Sequence, residues 1–487
     1  MIFLSAQPDT TYFIWQVELQ LFNLEQLNWP KENIHVLFSY APDLGINPEA
    51  SLICKKFPNH HIYFYEDTRV NKKYSSTIRP HIIEKHFALY PDLRKETIFY
   101  IDSDVIFKEL PDFSTLLNDE IWYASDTRSY MGSEVLINAL GYETFKHMCD
   151  IVGVSTQDVM KNEINTGGAQ YIIKNIPLNF WSKVEKDSNK MYEYLHDILF
   201  VNTSHDFLKK YPISIWLTEM WVVFWNTILF GKTFVTHPLL NFCWAYQTTE
   251  KWENSHMLHY TGGTKGNFFK KINYTYAFPF YEDLSYIDKN SCSAVLKDLI
   301  LLYRSYLNKN RFILDDITII IPIQDKPISI PILDYLIKYI KSNFIILGSS
   351  FNLKTSKYES YKNIKFIKQD NVDISNIAEE LSTIEIKTNY IGIIPSHYIL
   401  PIQQLIRTVY LLQESNNQII QPYTRCLKID TLSHFLFQRV LEEEFLFSNI
   451  GKFEEIENKY KNECLFFHKE KFKNSIKKEI EGCIFIK

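Results

Sequence analysis

The sequence predicts an α/β protein with a mainly parallel sheet, and three features of its N-terminal part indicate that class. Short runs of β-branched and aromatic residues, such as "MIFLSA" (1–6) and "IHVLFSY" (34–40), are typical of buried strands. Segments with apolar residues at helical spacing stand between several of these runs. The resulting β-α-β-β-α-β order favours parallel strands whose crossover helices cover the faces of the sheet.

The elements follow one another in this order. Thr10 or Thr11 comes directly after the first strand and suits the cap of a helix. The apolar positions of that helix keep roughly helical spacing: Trp15, Leu19, Phe22 and Leu27. A third strand is predicted in "HIYFYED" (61–67), and a second helix follows Pro80, a residue favoured in a first helical turn. The fourth strand begins the stretch "TIFYIDSDVIF" (97–107).

A helical connector and a second α/β segment are predicted beyond this region. "SAVLKDLILLYRSYLNKNR" has the pattern of a helix, and the last fifty residues are also predicted to be helical. Between them, a predicted helix near 331–342 lies among four predicted strands, at 317–323, 344–350, 364–370 and 390–397. We therefore predict domains at 1–285 and 316–487, joined by a connector at 286–315.

The size and composition of the chain limit its class. Its 487 residues suffice for two or three domains, and 46% hydrophobic with 22% charged residues indicate a globular protein. The net charge of −5 does not favour a polyanion as the main partner. Seven scattered cysteines without a CxxC pair favour a reducing compartment, and no apolar run reaches the roughly 18 residues of a membrane span. We expect a cytoplasmic protein, and the sequence does not indicate its oligomeric state.

Asp102 and Asp104 interrupt the apolar stretch 97–107. Burying either carboxylate unpaired would cost several kcal/mol, so a cation should lie beside them or the pair should mark an exposed loop at a strand end. In open α/β sheets, ligands bind outside the carboxyl ends of the strands. Two carboxylates can hold Mg²⁺ or Mn²⁺, an ion that bridges nucleotide phosphates, although a lone Asp-x-Asp fits a solvated turn equally well.

The stretch "HMLHYTGGTKGNFFK" adds three candidate residues. His259 offers an imidazole to a metal, Gly262 lets backbone N–H groups approach phosphate, and Lys265 supplies a point charge. A structural histidine and an ordinary turn are the alternative interpretations of the single residues. Their combination at this spacing favours function.

Two further stretches carry weaker signals. In "NEINTGGAQYII", Asn165, Gly167 and Gly168 form either a tight turn or a backbone surface that contacts a sugar or acceptor. In "SIWLTEMWVVFWN", Glu219 stands among large apolar residues at helical spacing. It is either a partly buried, paired carboxylate or a general base whose pKa is raised by its apolar surroundings.

Together these motifs resemble those of the GT-A fold glycosyltransferases. "YIDSDVIF" matches their metal-binding Asp-x-Asp, "HYTGGTK" (259–265) matches the His-x-x-Gly-x-x-Lys element of the glycogenin-like retaining branch, and "INTGG" is similar to that branch's Asn-x-Gly stretch. "YFIWQ" (12–16), "IRP" (78–80), "TGGAQYII" and "WLTEMW" resemble the peptidyl-serine and hydroxyproline O-glycosyltransferases. The resemblance covers about residues 1–285.

The resemblance implies roles for most of these residues. Asp104 would ligate the metal directly, Asp102 would contact the metal or the ribose, and His259 would be a further ligand. Gly262 and Lys265 would hold the diphosphate.

Two more roles and two departures follow from the same comparison. Arg79 would lie near the phosphates or the aspartates, and Asp126, in "YASDTR", near the hydroxyls of the donor sugar. Gly266-Asn267 replace the Pro-Trp that commonly follows the lysine, and "TEMW" replaces an Asp-Gln-Asp motif. The donor sugar and the stereochemical outcome therefore stay open.

The second segment resembles the start of a family-two-like GT-A domain, because "ITIIIPI" is similar to the opening strand of such domains. Where such a domain would carry its Asp-x-Asp, the sequence reads "IIPSHYILP". Pro395, Ser396 and His397 cannot replace two carboxylates at a hard cation. The segment is interpreted as a degenerate module for packing, dimerisation or acceptor binding, unless the likeness is fortuitous.

The sequence thus predicts a glycosyltransferase that uses Mn²⁺ (or Mg²⁺) and a nucleotide-sugar donor, with a UDP-sugar favoured. The acceptor would be a hydroxyl on a protein or glycan, and a modified DNA base is less favoured by the acidic charge. Retention is favoured over inversion, for which Glu219 would be the base. The alternatives are a sugar nucleotidyltransferase, disfavoured because "LSAQPDTTYF" has no glycine after the first strand, and a non-catalytic carbohydrate-binding scaffold.

Overall fold

The structure is a computed structural model. The residues that it describes are 1–201, 213–261, 266–275, 278–282, 284–309, 312–323, 329–348, 361–368, 384–396, 398, 400, 402–414, 420–421, 426–428, 454–456, 464–469 and 484–485. The chain divides into two compact units. The first comprises Met1–Pro279 with Tyr286–Ile300, and the second comprises Phe280–Ser285 with Leu301–Lys487.

The first unit contains ten strands within its described residues. In chain order they are β1 (Ile2–Pro8), β2 (Ile34–Tyr40), β3 (His61–Glu66), β4 (Ile98–Tyr100), β5 (Val105–Phe107), β6 (Trp122–Asp126), β7 (Gly167–Ile173), β8 (Phe234–Thr236), β9 (Phe242–Trp244) and β10 (Met257–His259). Seven of them form a mixed sheet in the order β3-β2-β1-β4-β7-β6-β8. Strands β1 to β4 are parallel to one another, whereas β7 runs antiparallel to both of its neighbours.

Helices connect the strands of this unit. They are α1 (Thr11–Gln26), α2 (Pro48–Lys56), α3 (Ile78–Leu89), α4 (Arg128–Met131), α5 (Ser133–Leu140), α6 (Tyr142–Val152), α7 (Thr156–Lys161), α8 (Phe180–His196), α9 (Thr218–Leu229) and α10 (Thr249–Glu253). A hydrophobic core joins α3, α6, α8 and α9 to the large sheet. None of the helices in the described part of the chain combines the length and apolar character that crossing a bilayer requires.

The predicted α/β class is confirmed, with one correction to the predicted order of elements. Helix α2, which was not predicted, lies between β2 and β3 and makes that connection a helical crossover as well. The helix begins where Asn47 accepts a hydrogen bond from the Glu49 backbone N–H, with Pro48 in the first turn. Because α2 is only nine residues long, its apolar periodicity is weak, and the Asn-Pro start was its main signal.

A second, smaller sheet brings distant parts of the first unit together. Its three described strands have the order β5-β10-β9, with β10 antiparallel to β5 and parallel to β9. The chain leaves the large sheet at the end of β4 and enters the small sheet at the start of β5. The segment between them, which carries the acidic couplet, is therefore fixed by a different sheet on each side.

The second unit has a sheet of its own. Its strands, within the described residues, are β11 (Phe312–Pro322), β12 (Ile340–Gly348), β13 (Ile364–Lys368), β14 (Tyr390–Ile393), β15 (Ile420–Gln421), β16 (Cys426–Lys428), β17 (Glu454–Ile456), β18 (Leu465–His468) and β19 (Ile484–Phe485). Helix α11 (Ser293–Lys309) begins in the first unit and ends in the second, and the described helices that follow it are α12 (Ser329–Tyr339) and α13 (Ile402–Glu414). The four predicted strands and the predicted helix are thus present.

The prediction of a helical C-terminus is wrong for the residues that the structure describes. Among the last fifty residues, the described pieces are mainly β17, β18 and β19. The physical reason is clearest for β18, because Phe466 and Phe467 are buried and the strand pairs with β14 inside the sheet. Consecutive buried aromatics on both faces are typical of an interior strand.

The two large sheets share one topology. The second has the order β13-β12-β11-β14-β18-β15-β19, which repeats that of the first strand for strand. Each pair of neighbours also has the same direction as its counterpart, antiparallel at β14-β18 and β18-β15 and parallel elsewhere. The second sheet is therefore a complete structural counterpart of the first.

Candidate active site

The acidic couplet follows β4 directly, at the carboxyl end of a parallel strand. The Ile101 backbone N–H still donates to Leu4 O (3.0 Å), and Asp102, Ser103 and Asp104 come next. Asp104 is buried, whereas the side chain of Asp102 is 27% exposed. One carboxylate is thus held inside the protein while the other reaches solvent.

Two amide side chains of α1 hold the backbone of the couplet. Gln20 Nε2 donates to Asp102 O (2.8 Å) and to Val105 O (3.0 Å). The Ser103 hydroxyl donates to Gln16 Oε1 (3.2 Å). These buried glutamines were not identified from the sequence, although polar residues within a buried helix are a signal for such a role.

His259 reaches the couplet through the small sheet. It is the last residue of β10 and pairs with Val105 of β5, which places it beside Asp104. His259 Nε2 lies 3.1 Å from Asp104 Oδ1 and 4.0 Å from Asp102 Oδ2. One ligand atom from each of the three residues lies within 4.8 Å of the others.

This set of donor atoms suits a divalent cation. Two carboxylates and an imidazole are common ligands of Mn²⁺, and Mg²⁺ accepts the same carboxylates. In an octahedral site with bonds of about 2.1 Å, adjacent ligand atoms stand about 3.0 Å apart, close to the separation of His259 Nε2 and Asp104 Oδ1. Among the residues that the structure describes, Asp102, Asp104 and His259 are therefore a group that could hold a metal ion.

Two cationic side chains contact the couplet, as its burial required. Arg79 Nη1 donates to Asp102 Oδ1 (2.5 Å), and Lys271 Nζ forms an ion pair with Asp104 Oδ2. Burial alone would raise the pKa of Asp104, but His259 and Lys271 outweigh it and hold that pKa well below its ordinary value. Asp104 is therefore ionised at neutral pH despite its burial.

Glu219 lies on the other side of Arg79. It is in the first turn of α9, and its Oε2 accepts hydrogen bonds from Arg79 Nε (2.9 Å) and Nη2 (2.6 Å). Burial raises the pKa of Glu219 to about 7, against the opposing attraction of Arg79. Arg79, from α3, is thus clamped between Asp102 and Glu219.

Lys271 was missed by the sequence analysis. It begins a short 3-10 turn, Lys271–Tyr274, that packs on α1 through an aromatic cluster. Trp15 Nε1 donates to Tyr274 O (3.1 Å), and the rings of Phe269 and Tyr274 stack at 5.1 Å. The requirement for a cation beside Asp104 was recognised, but sequence spacing could not select Lys271 from the lysines of the same region.

A cleft adjoins the histidine. The rings of Phe242 and Trp244 flank the His259 ring at 5.4 and 5.3 Å, and both residues also line a cleft of 820 Å³. Asp126, the last residue of β6, lines the same cleft with Tyr130. Aromatic rings beside carboxylate and amide groups are chemically suited to sugars, whose faces are apolar and whose edges carry hydroxyls.

Asn165, Gly167 and Gly168 lie beside β6. Asn165 ends a short 3-10 turn, and the two glycines begin β7 opposite Asp126 and Ser125. A Cβ on Gly167 would lie 2.9 Å from the Ala124 Cβ, and one on Gly168 would lie 2.5 Å from the Met220 Cε. Close packing therefore explains Gly167, whereas the Met220 side chain beside Gly168 is flexible. The predicted contact of these residues with a sugar or acceptor stays a prediction.

Two predicted residues, Gly262 and Lys265, lie outside the described residues. Their contact with the diphosphate is therefore a prediction that rests on the sequence alone. The described chain ends at Thr261 on one side of this stretch and resumes at Gly266 on the other.

Comparison with known proteins gives matches among solved structures. No family model matches the chain, and no curated protein matches it. The apo-form glycosyltransferase GlyE of Streptococcus pneumoniae TIGR4 is 11% identical over 78% of this chain and 83% of its own, with a TM-score of 0.30. The galactosyltransferase LgtC, solved with donor and acceptor sugar analogues, is 14% identical over 62% and 95% of the two chains, with a TM-score of 0.30. Mouse xyloside xylosyltransferase 1 is 8% identical over 53% and 96%, with a TM-score of 0.28.

Proposed function

We propose that this protein is a metal-dependent glycosyltransferase that moves a sugar from a nucleoside diphosphate donor to a hydroxyl acceptor. A UDP-sugar is the favoured donor and Mn²⁺ the favoured ion, with Mg²⁺ as the alternative. The observation that carries the proposal is the convergence of Asp102, Asp104 and His259 at the carboxyl end of a parallel sheet, beside a cleft suited to sugars.

The charges of the site support a role in diphosphate chemistry. A divalent cation held by Asp102, Asp104 and His259 would stabilise the negative charge of the departing diphosphate. Arg79 remains protonated, because Glu219 and Asp102 together outweigh the effect of burial and raise its pKa above the ordinary value. A fixed guanidinium of this kind can donate to phosphate oxygens without reorganisation.

The geometry around Glu219 supports retention of configuration over inversion. Its side chain is 3% exposed and its carboxylate is occupied by Arg79. An inverting enzyme needs a base with access to the acceptor hydroxyl, whereas in a retaining reaction the leaving phosphate oxygen can accept that proton. We therefore assign Glu219 the role of positioning Arg79.

The cleft is proposed to hold the reacting sugars. Asp126 is exposed at its edge and can accept hydrogen bonds from hydroxyls of the donor sugar. Trp244 offers an aromatic face to the cleft while its ring also contacts His259. A sugar packed on Trp244 would thus lie close to the metal ligands.

A donor-hydrolysis assay tests the proposal. Purified protein is incubated with UDP- and GDP-sugars, with and without MnCl₂, and release of the nucleoside diphosphate is measured. We expect metal-dependent release with at least one donor and a loss of about 100-fold or more in Asp104→Asn. Turnover that is unaffected by chelation and by Asp104→Asn would contradict the assignment.

The same protein preparation separates the alternatives. Nucleotide binding that ignores Mn²⁺, measured by calorimetry, would favour the carbohydrate-binding scaffold. Release of pyrophosphate from a nucleoside triphosphate and a sugar phosphate would favour the nucleotidyltransferase. Mass spectrometry of glycan and protein acceptors after reaction with the preferred donor would then identify the acceptor class.

A further inference from the structure

The ion pair between Lys271 and Asp104 uses a carboxylate that a metal would also need. Lys271 Nζ contacts Oδ2 of Asp104, while His259 Nε2 lies 3.1 Å from Oδ1, so both oxygens of this carboxylate are engaged. Asp102 has its own cation in Arg79. Each carboxylate of the ligand set thus has a cation of the protein beside it, although Arg79 is shared with Glu219.

A divalent cation and the Lys271 ammonium compete for the same carboxylate. Like charges at the few-ångström separation of two groups on one carboxylate repel strongly in a site screened from solvent. A metal held through Asp104 Oδ1 would lie close to the ammonium on Oδ2, so metal binding disfavours the present position of Lys271. In the described residues around the couplet, the other cation, Arg79, is fixed by Glu219 and is not free to compensate.

The side chain of Lys271 can move while its backbone stays fixed. The turn that carries it is anchored by the Trp15 hydrogen bond to Tyr274 O, and the Lys271 side chain is 20% exposed beside the Tyr12 ring. A lysine has a four-carbon stem that places its charge over a range of positions, unlike the planar fork of arginine. Rotation of the stem is enough to move the ammonium away from the couplet.

We propose that Lys271 is a transferable counter-ion. It neutralises Asp104 in the metal-free protein, and it moves to the diphosphate of the donor when the metal takes the carboxylate. This inference rests on the proposed function, since it assumes that a divalent cation and a nucleoside diphosphate bind at the couplet. It makes metal binding and donor binding cooperative, because the diphosphate provides the displaced ammonium with a new partner.

The proposal predicts opposite effects of one substitution on two ligands. Titration calorimetry with MnCl₂ alone should show about 5- to 10-fold tighter binding to Lys271→Met than to the wild type, because the competing charge is gone. Titration with UDP in saturating MnCl₂ should show about 10-fold weaker binding, because the diphosphate has lost a cation. Lys271→Arg, which keeps the charge, should bind MnCl₂ about as the wild type does.

Lys270→Met is the matched control. Lys270 is the neighbouring residue, and its Nζ lies over the Phe268 ring at 5.4 Å. Its substitution should leave both affinities within about 2-fold of the wild type. The rise in melting temperature on adding MnCl₂ provides a second readout, which should be larger for Lys271→Met than for the wild type even if that variant is less stable.

The outcomes separate this inference from the proposed function. If the wild type binds MnCl₂ and UDP but Lys271→Met binds MnCl₂ equally or more weakly, the counter-ion role is wrong and the glycosyltransferase proposal stands. Unchanged UDP affinity in Lys271→Met likewise overturns the transfer to the diphosphate. If neither the wild type nor Lys271→Met binds MnCl₂, both proposals fail together.

Discussion

The two units build the same sheet but end its fourth strand differently. In the first, the Ile101 N–H donates to Leu4 O, and Asp102-Ser103-Asp104 follow. In the second, the Ile394 N–H donates to Ile320 O in the same relation, and Pro395-Ser396-His397 follow in the sequence. The second position thus lacks both carboxylates, and His397 lies outside the described residues.

This difference shows that the sheet does not depend on the acidic couplet. The strands that precede both positions are buried and apolar, and they pair in the same register with the first strand of their unit. Burial of those strands stabilises the sheet, whereas the residues after the strand end can change without altering its topology. The topology of the sheet therefore does not account for the couplet, whose proposed role is metal binding.

The largest effect should come from removing the couplet. The double variant Asp102→Asn/Asp104→Asn keeps the shape of the side chains but removes both negative charges, so metal-dependent donor hydrolysis should fall by about 1,000-fold. Pro395→Ala changes the corresponding position of the second sheet and should leave hydrolysis within about 2-fold of the wild type. Equal losses in both variants would contradict the contrast between the two sheets.

A smaller effect, with a pH signature, should come from Glu219. Because the pKa of Glu219 is raised to about 7, the carboxylate gains its charge as the pH rises through that value and then holds Arg79 most firmly. Hydrolysis by the wild type should therefore rise between about pH 6 and 8. Glu219→Gln should be about 10- to 100-fold less active and should lack this rise, and a profile of unchanged shape would overturn the positioning role.

Both the strand pattern and the three residues that converge as candidate metal ligands were predictable from sequence, for different reasons. Individual strands and the alternation of strands with helices give local signals in the sequence. Strand β2, for example, has the predicted bounds Ile34–Tyr40. Asp102, Asp104 and His259 were found because their residue types and spacing match a chemical requirement and a family motif. Their proximity, however, depends on the antiparallel pairing of β10 with β5, which is a long-range feature.

The resemblance led us to expect Arg79 near the phosphates or the aspartates, and it does contact Asp102, but Lys271 and the pairing of Arg79 with Glu219 were not predicted. The Lys271 ion pair joins residues 167 positions apart, and the Arg79–Glu219 pair joins residues 140 positions apart. A single sequence contains no signal for such pairings beyond charge and burial. The prediction of a helical C-terminus failed for a related reason. Segment β18 forms a strand because it pairs with β14, a long-range contact that the local sequence does not show.

A third prediction concerns acid stability, where the two sheets also differ. In the first sheet His35 lies beside Leu4, and its Nδ1 is 3.0 Å from His86 Nε2, whose other ring nitrogen is 2.7 Å from Tyr65 Oη. In the second sheet Ile345 occupies the corresponding place beside Ile320. Burial, with a contribution from nearby histidines, lowers the pKa of His35 to about 4 and that of His86 to about 3.

The sign of the pH effect follows from these shifts. In the unfolded chain these histidines become protonated below about pH 6.5, whereas in the folded protein His35 stays neutral until about pH 4 and His86 until about pH 3. The first unit therefore loses stability as the pH falls from 6.5 towards 4. A shift of this size corresponds to about 3 kcal/mol for His35. All nine tryptophans lie at or before Trp252, so tryptophan fluorescence in urea reports the first unit.

His35→Ile copies the residue of the second sheet and tests this difference. It should make the stability of the first unit less dependent on pH between 6.5 and 4, even if it lowers stability at neutral pH by removing the partner of His86 Nε2. The exposed residue His147 provides the control, since His147→Asn should leave the slope unchanged. An unchanged slope in His35→Ile would show that acid sensitivity arises elsewhere.

The smallest effect on hydrolysis should come from a substitution that damages the second sheet alone. A Cβ on Gly392, in β14, would lie 2.4 Å from the Phe466 Cε1 of β18. Gly392→Ala should therefore destabilise this unit by about 1–3 kcal/mol, because an interior ring cannot withdraw without displacing its neighbours. Donor hydrolysis should stay within about 2-fold of the wild type, since the proposed ligands all lie in the first unit. If Gly392→Ala keeps donor hydrolysis but loses transfer to an acceptor, the second unit takes part in acceptor binding. If the variant loses donor hydrolysis itself, the assignment of catalysis to the first unit alone is wrong.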